Sequence, residues 1–178
     1  GEGGSIVLAG HNNKGFLKAQ KGVGMMEVLV SIVILSIAIL GFVALQVRAT
    51  VATEEAIKRS DALIMLNGLA EKMRINPSSA YAGAMPTALP SCVATKDCIA
   101  SDQALADLYT YNTLAKTKSI SLGVIGCPNT SSKQSRMCIV AAWNETTPTL
   151  AATGSSVGCI NANGRYLDDA DCLVLEAY

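Results

Sequence analysis

Lys21-Gly22-Val23-Gly24-Met25-Met26-Glu27 leads directly into Val28–Val47, an apolar stretch interrupted only by Ser31, Ser36 and Gln46. Twenty helical residues rising about 1.5 Å each match the roughly 30 Å hydrocarbon core of a bilayer. Glu27 is out of character in such a segment. A carboxylate inside a membrane helix costs about 2.5–3.5 kcal/mol on insertion scales, so it calls for a partner or a function. Neither Lys nor Arg occurs between Lys21 and Arg48. Cleavage between Gly22 and Val23 would supply the missing cation, as the new α-amino group of Val23, four residues from Glu27 or on an adjacent copy.

Gly22, an apolar residue after it, Glu27 at the fifth position after the cut, and the following Val-Leu-Val-Ser-Ile-Val-Ile-Leu resemble the class III signal of type IV pilins and type II secretion pseudopilins. In that family a membrane-embedded prepilin peptidase cuts after the glycine and methylates the new N-terminus from S-adenosylmethionine. The resemblance implies cleavage at Gly22 and Val23, N-methylation of Val23, and Glu27 as the assembly carboxylate. This chain has Val23 where the family usually has Phe, and a leader of 22 residues. Lys14, Lys18 and Lys21 place the leader on the cytoplasmic side by the positive-inside rule. Unlike a secretory signal, the apolar segment stays with the mature protein. The plainer reading of the same residues is a single-pass anchor, with Glu27 solvated at the interface.

Removing the leader, with its three Lys and one Glu, leaves 156 residues carrying 11 Lys and Arg against 13 Asp and Glu. Scattered cations, one Trp and two Phe give neither an electrostatic stripe nor a base-stacking platform, which argues against a nucleic-acid partner. All six cysteines, Cys92, Cys98, Cys127, Cys138, Cys159 and Cys172, follow the membrane segment. The even number suits three disulfides in an oxidising compartment. Six cysteines allow about 15 connectivities, and neighbour pairing is expected: Cys92 with Cys98, Cys127 with Cys138, Cys159 with Cys172. The spacings do not suit zinc, since no pair is Cys-x-x-Cys and the single histidine, His11, falls in the leader.

Beyond Val47 the helical pattern continues to Asn76, before Pro77, so one helix is expected from Val23 to about Asn76. Its second half, 48–76, carries small and apolar residues at Ala49, Ala52, Ala56, Leu63, Leu66, Ala70 and Met73. That stripe predicts an amphipathic face packed on a globular head. Glu54 with Lys58 and Glu55 with Arg59 are spaced to pair across a helical turn. Gly24 and Gly41 are the weak points of the apolar half. The head, 77–178, opens with a loop to Cys98 and continues with a short helix over Ala100–Lys116, capped by Ser101. Strands are predicted over Ser119–Ile125, Met137–Trp143, Arg165–Leu167 and Cys172–Tyr178. Together with the resemblance, these elements imply an α+β fold class, a type IV pilin-like long helix on a small antiparallel sheet with disulfide-closed loops.

Within the family the chain is most similar to PilV-type minor pilins, through Val28-Leu29-Val30-Ser31, Ala44-Leu45-Gln46 with Arg48-Ala49, and Leu69 to Pro77. This implies a protein of the inner membrane with a periplasmic head. It would gather with other minor pilins, prime polymerisation of the major pilin and remain at the pilus tip on the cell surface, sometimes with a tip adhesin, supporting twitching motility and adhesion. Alternatives are a type II secretion minor pseudopilin, whose head usually has fewer cysteines, and a membrane-anchored adhesive module. An enzyme is disfavoured, because the mature chain would have no histidine for Ser-His, Cys-His or histidine-metal sites. Asp168, Asp169 and Asp171 read as a solvated turn, and no cofactor is expected.

Overall fold

The computed structural model describes Gly10, residues 24–130 and residues 133–178. The chain divides into two compact units at Thr50 and Val51, and helix α1, Met25–Ile75, runs across that division. Among the described residues of the first unit, α1 is exposed on every side and passes Gly41 unbroken. Its hydroxyl side chains are satisfied within the helix. Ser31 Oγ donates to the Glu27 carbonyl and Ser36 Oγ to that of Ile32, both at 2.7 Å, and Thr50 Oγ1 donates to Gln46 at 2.9 Å. Such i−4 bonds let hydroxyls sit in an apolar environment without orphaned donors.

The second unit contains the rest of α1, then α2 (Cys92–Thr95), α3 (Ala100–Thr117) and three strands, β1 (Ser121–Gly126), β2 (Met137–Ala142) and β3 (Cys172–Glu176). The strands form an antiparallel meander in the order β1-β2-β3, with Val124 opposite Ile139 and Ile139 opposite Leu175. Leu122, Val124, Ile139 and Ala141 face α1 and α3 in the main core, with Leu66, Leu69, Met73 and Leu108. The opposite face is also covered. Val140 and Ala142 pack with Cys159, Ile160 and Cys172, supplied by the 143–171 excursion and the start of β3. With both faces covered, β2 is an unbroken apolar run rather than an alternating one, the usual mark of a strand buried on two sides.

Pro77 has no N–H to continue α1 and disfavours helical geometry at Asn76. The last turn is tied down by Asn76 Nδ2 donating to Ala100 (2.9 Å) and Arg74 Nε donating to Ala177 (2.9 Å). The structure changes the expected buried stripe. Ala62, Met65, Leu66, Leu69, Ala70 and Met73 are buried, whereas Ala49, Ala52, Ala56 and Leu63 are exposed. Phase is part of the reason. The expected positions repeat every seven residues, a 3.5-residue period that drifts about 20° per heptad around a straight 3.6-residue helix, turning Ala49, Ala56 and Leu63 off the buried face. Ala52 shares the face of Ala70 and is exposed because it precedes Ala62, the first buried position of α1.

Two local expectations also change. Ser101 does not cap α3. The N-cap is Ile99, whose carbonyl accepts the Gln103 N–H at 2.8 Å, which places Ser101 inside the first turn. Arg165–Leu167 is not a strand, only one bridge between Ile160 and Tyr166. Asn161 Oδ1 there accepts the N–H groups of Asn163 (2.9 Å) and Arg165 (3.1 Å), and Gly164 has φ +77°, so the backbone is committed to a turn. Tyr166 accepts the Val174 N–H at 3.0 Å, occupying a donor on the open edge of β3.

Candidate assembly helix and its head

Glu27 lies in the first turn of α1, where its own N–H donates to the Gly24 carbonyl at 3.1 Å. Position alone favours a carboxylate there, because the N-terminal end of a helix carries partial positive charge. Among the described residues the carboxylate has neither an ion pair nor a hydrogen bond. It borders a shallow groove on the helix surface with Val28, Ser31, Ile32 and Leu35. The expected cleavage and methylation residues, Gly22 and Val23, lie outside the described residues, as do Lys14, Lys18, Lys21 and His11. From Val28 to Val47 every side chain is exposed, and the helix is long and apolar enough to cross a membrane. Apolar surface of that extent, on all sides of a helix, requires lipid or other apolar helices around it.

In the second unit, polar contacts clamp the lower part of α1 to the sheet. Glu55 accepts from Trp143 Nε1 (3.3 Å) and pairs with Arg59 (3.2 Å), while the Arg59 guanidinium sits 5.6 Å from the Trp143 ring centroid. The pairing expected between Glu54 and Lys58 does not form. Lys58 instead donates to the Lys118 carbonyl at the end of α3, and Lys118 lies 3.9 Å from Asp61. Carbonyls at a helix C-terminus lack intrahelical partners and attract such a cation.

Three disulfides close loops of the head: Cys92–Cys98, Cys127–Cys138 and Cys159–Cys172. The first encloses α2, the second joins the ends of the β1–β2 connection, and the third ties the long excursion to β3. Cys159 and Cys172 are buried in the second core, so this bridge replaces apolar packing on that face.

Sequence reasoning missed a buried polar pair. Tyr81, wholly buried, donates to Asp107 Oδ2 at 2.6 Å, and Gln103 Nε2 donates to Asp107 Oδ1 at 3.0 Å. Burial pushes the Tyr81 phenol well above its usual range, reinforced by the hydrogen bond to Asp107 and its charge. Gln103 and Asp107 stand four apart on α3, a visible pairing signal; Tyr81 lies in a stretch with no periodicity to mark it. Two glycines were also missed. A Cβ on Gly68 would come within 2.5 Å of the Tyr111 hydroxyl, and one on Gly123 within 2.3 Å of the Pro148 carbonyl oxygen. Among the described residues no cluster of three metal-ligating side chains occurs.

Residues 44–119, from the apolar half of α1 through α3, match the family model described as Tt1218-like, type IV pilin Tt1218. Comparisons with curated proteins and with solved structures give no match. The family match supports a type IV pilin, and the long apolar helix with a three-stranded antiparallel sheet and disulfides is a type IV pilin-like α+β fold.

Proposed function

We propose that this chain is a minor pilin of the PilV kind, which helps prime type IV pilus assembly, stays in the tip complex, and supports twitching motility and adhesion. The observation that carries the reading is a 51-residue helix whose first half is unburied and apolar on all sides, with one carboxylate in its first turn that has no partner among the described residues. In this reading prepilin peptidase removes residues 1–22, cutting between Gly22 and Val23, and methylates Val23. The remaining chain waits in the inner membrane through residues 23–47, with its head in the periplasm. Residues 48–76 and the head, 77–178, then meet other minor pilins, the major pilin and a tip adhesin.

Glu27 is the registering group. Within a bundle of apolar helices it has one favourable position, beside the N-terminal ammonium of an adjacent subunit. A buried ion pair contributes alignment more dependably than net stability, but removing one member costs about 3–5 kcal/mol by stranding the other. The role is structural, without catalysis or cofactor. The nearest competitor, a type II secretion minor pseudopilin, shares the helix, and the three disulfides of this head favour the pilus.

The test is Glu27→Ala in the native host. Insertion into the inner membrane is expected to be normal, with surface pili and twitching much reduced. Normal piliation in that strain overturns the role given to Glu27. Deleting the gene and scoring pili against secreted enzymes separates the two machineries: loss of secretion with intact pili would assign the chain to the secretion system.

A further inference from the structure

The head contains a cavity of about 360 Å³ between the Cys92–Cys98 loop and α3. Assembly through α1 makes no use of it. The volume is within the roughly 300–1,000 Å³ range of small-ligand sites, and the lining has a consistent chemistry. On the α3 side the groups left over are acceptors. The Asp107 carboxylate, 7% exposed, receives hydrogen bonds from Tyr81 and Gln103 and retains lone pairs beyond them. Gln103 commits its amide nitrogen to Asp107, leaving its carbonyl oxygen without a partner among the described residues. Thr110 spends its hydroxyl proton on the Ala106 carbonyl at 2.9 Å and can then only accept. Converging acceptors around a carboxylate suit an ammonium group, which offers three donors and no acceptor.

The second charged residue lining the cavity is Lys96. It caps α2 in the left-handed conformation (φ 59°), its N–H bonded to the Cys92 carbonyl, and the Cys92–Cys98 bridge closes the loop that carries it. Among the described residues its ammonium has no partner. Leu89, Val93 and Ala106 give the cavity its apolar lining. A ligand matching all three parts has an ammonium, a carboxylate and a short aliphatic body. We propose that this cavity binds a small aliphatic α-amino acid, with its ammonium on Asp107 and neighbouring acceptors and its carboxylate on Lys96.

The experiment uses the full mature chain in detergent micelles with disulfides intact, followed by amide NMR shifts at Lys96 and Asp107. The probes are L-valine, isobutylamine and isobutyrate. L-valine is expected to give saturable shifts with a Kd near 1 mM, isobutylamine to bind about tenfold more weakly, and isobutyrate to give no saturable shift. Asp107→Asn should weaken L-valine about tenfold or more. Lys96→Gln, at an exposed position outside the core, should bring L-valine down to the affinity of isobutylamine. If Asp107→Asn does not fold, Lys96→Gln decides. No saturable shift with L-valine, isobutyrate binding as well as L-valine, or a Lys96→Gln variant that still prefers L-valine over the amine would overturn the proposal. None of these results depends on whether the chain assembles into pili.

Discussion

Gly123→Ala probes how the second face of the sheet is covered. Gly123 sits in β1 opposite Val140, on the face over which the 143–171 excursion folds. An alanine Cβ there would stand 2.3 Å from the Pro148 carbonyl oxygen and 3.2 Å from Pro148 Cβ. To reach 3.0 Å the oxygen must retreat roughly 0.7 Å, and it is backbone, so no rotamer change can relieve it. Its neighbourhood is fixed by Thr147 N–H donating to Val157 (2.7 Å), Cys159 N–H donating to Thr149 (3.0 Å), and the Cys159–Cys172 bridge. Overpacking of this kind costs about 1–3 kcal/mol. Gly-to-Ala exchange also stabilises, by about 0.4–1 kcal/mol through the unfolded chain. Gly126→Ala, in the same strand with nothing within 4 Å, measures that gain alone. At about 4 °C per kcal/mol for a domain of this size, Gly123→Ala should melt roughly 4–12 °C below Gly126→Ala. The assay is thermal unfolding by circular dichroism of the mature chain in detergent with disulfides intact. Equal melting temperatures for the two variants would refute the close approach of the excursion to β1.

Tyr81→Phe should cost about 1.5–3 kcal/mol, because it deprives the buried Asp107 carboxylate of a hydrogen-bond donor; urea unfolding at neutral pH measures it. The same pair sets an alkaline limit. The folded-state phenol is raised above its unfolded value of about 10, so its contribution is complete below that pH. It is lost as pH rises beyond it, by up to about 1.4 kcal/mol per pH unit. Wild-type stability should fall more steeply above pH 10 than that of Tyr81→Phe, and parallel profiles would contradict the assignment. Replacing Cys159 and Cys172 together by Ala should destabilise by about 3 kcal/mol from loop entropy, with a further loss from the vacated core. The shorter, less buried Cys92–Cys98 loop should cost about 2 kcal/mol, and denaturant titration of the two double variants tests the order.

Much of the architecture is legible in residue pattern because it is locally encoded. The apolar run after Glu27, Pro77 after Asn76, the period of Ala100–Thr117 and the apolar clusters at 137–142 and 172–176 each declare an element without reference to the rest of the chain. What is hidden depends on tertiary contact. Which face of α1 is buried turns on a 20° drift per heptad that small residues such as Ala49 and Ala56 do not resolve. The covering of the second sheet face by 143–171 depends on Gly123 and Pro148, 25 positions apart, meeting in space. Arg165–Leu167 has strand-like residues, but the side chain of Asn161 overrides them. At the candidate site, Glu27 stands out because a carboxylate is costly among apolar residues, whereas Asp107 is one acid among fourteen Asp and Glu, and only burial beneath Tyr81 distinguishes it.

The reading of α1 as a pilin assembly helix is tested most directly by the intact mass of the protein extracted from membranes of cells with and without prepilin peptidase. The account predicts a chain beginning at an N-methylated Val23 only where the peptidase is present, and one retaining residues 1–22 where it is absent. A chain that keeps its leader in both strains would contradict it, leaving Glu27 without its cation and α1 as an ordinary membrane anchor.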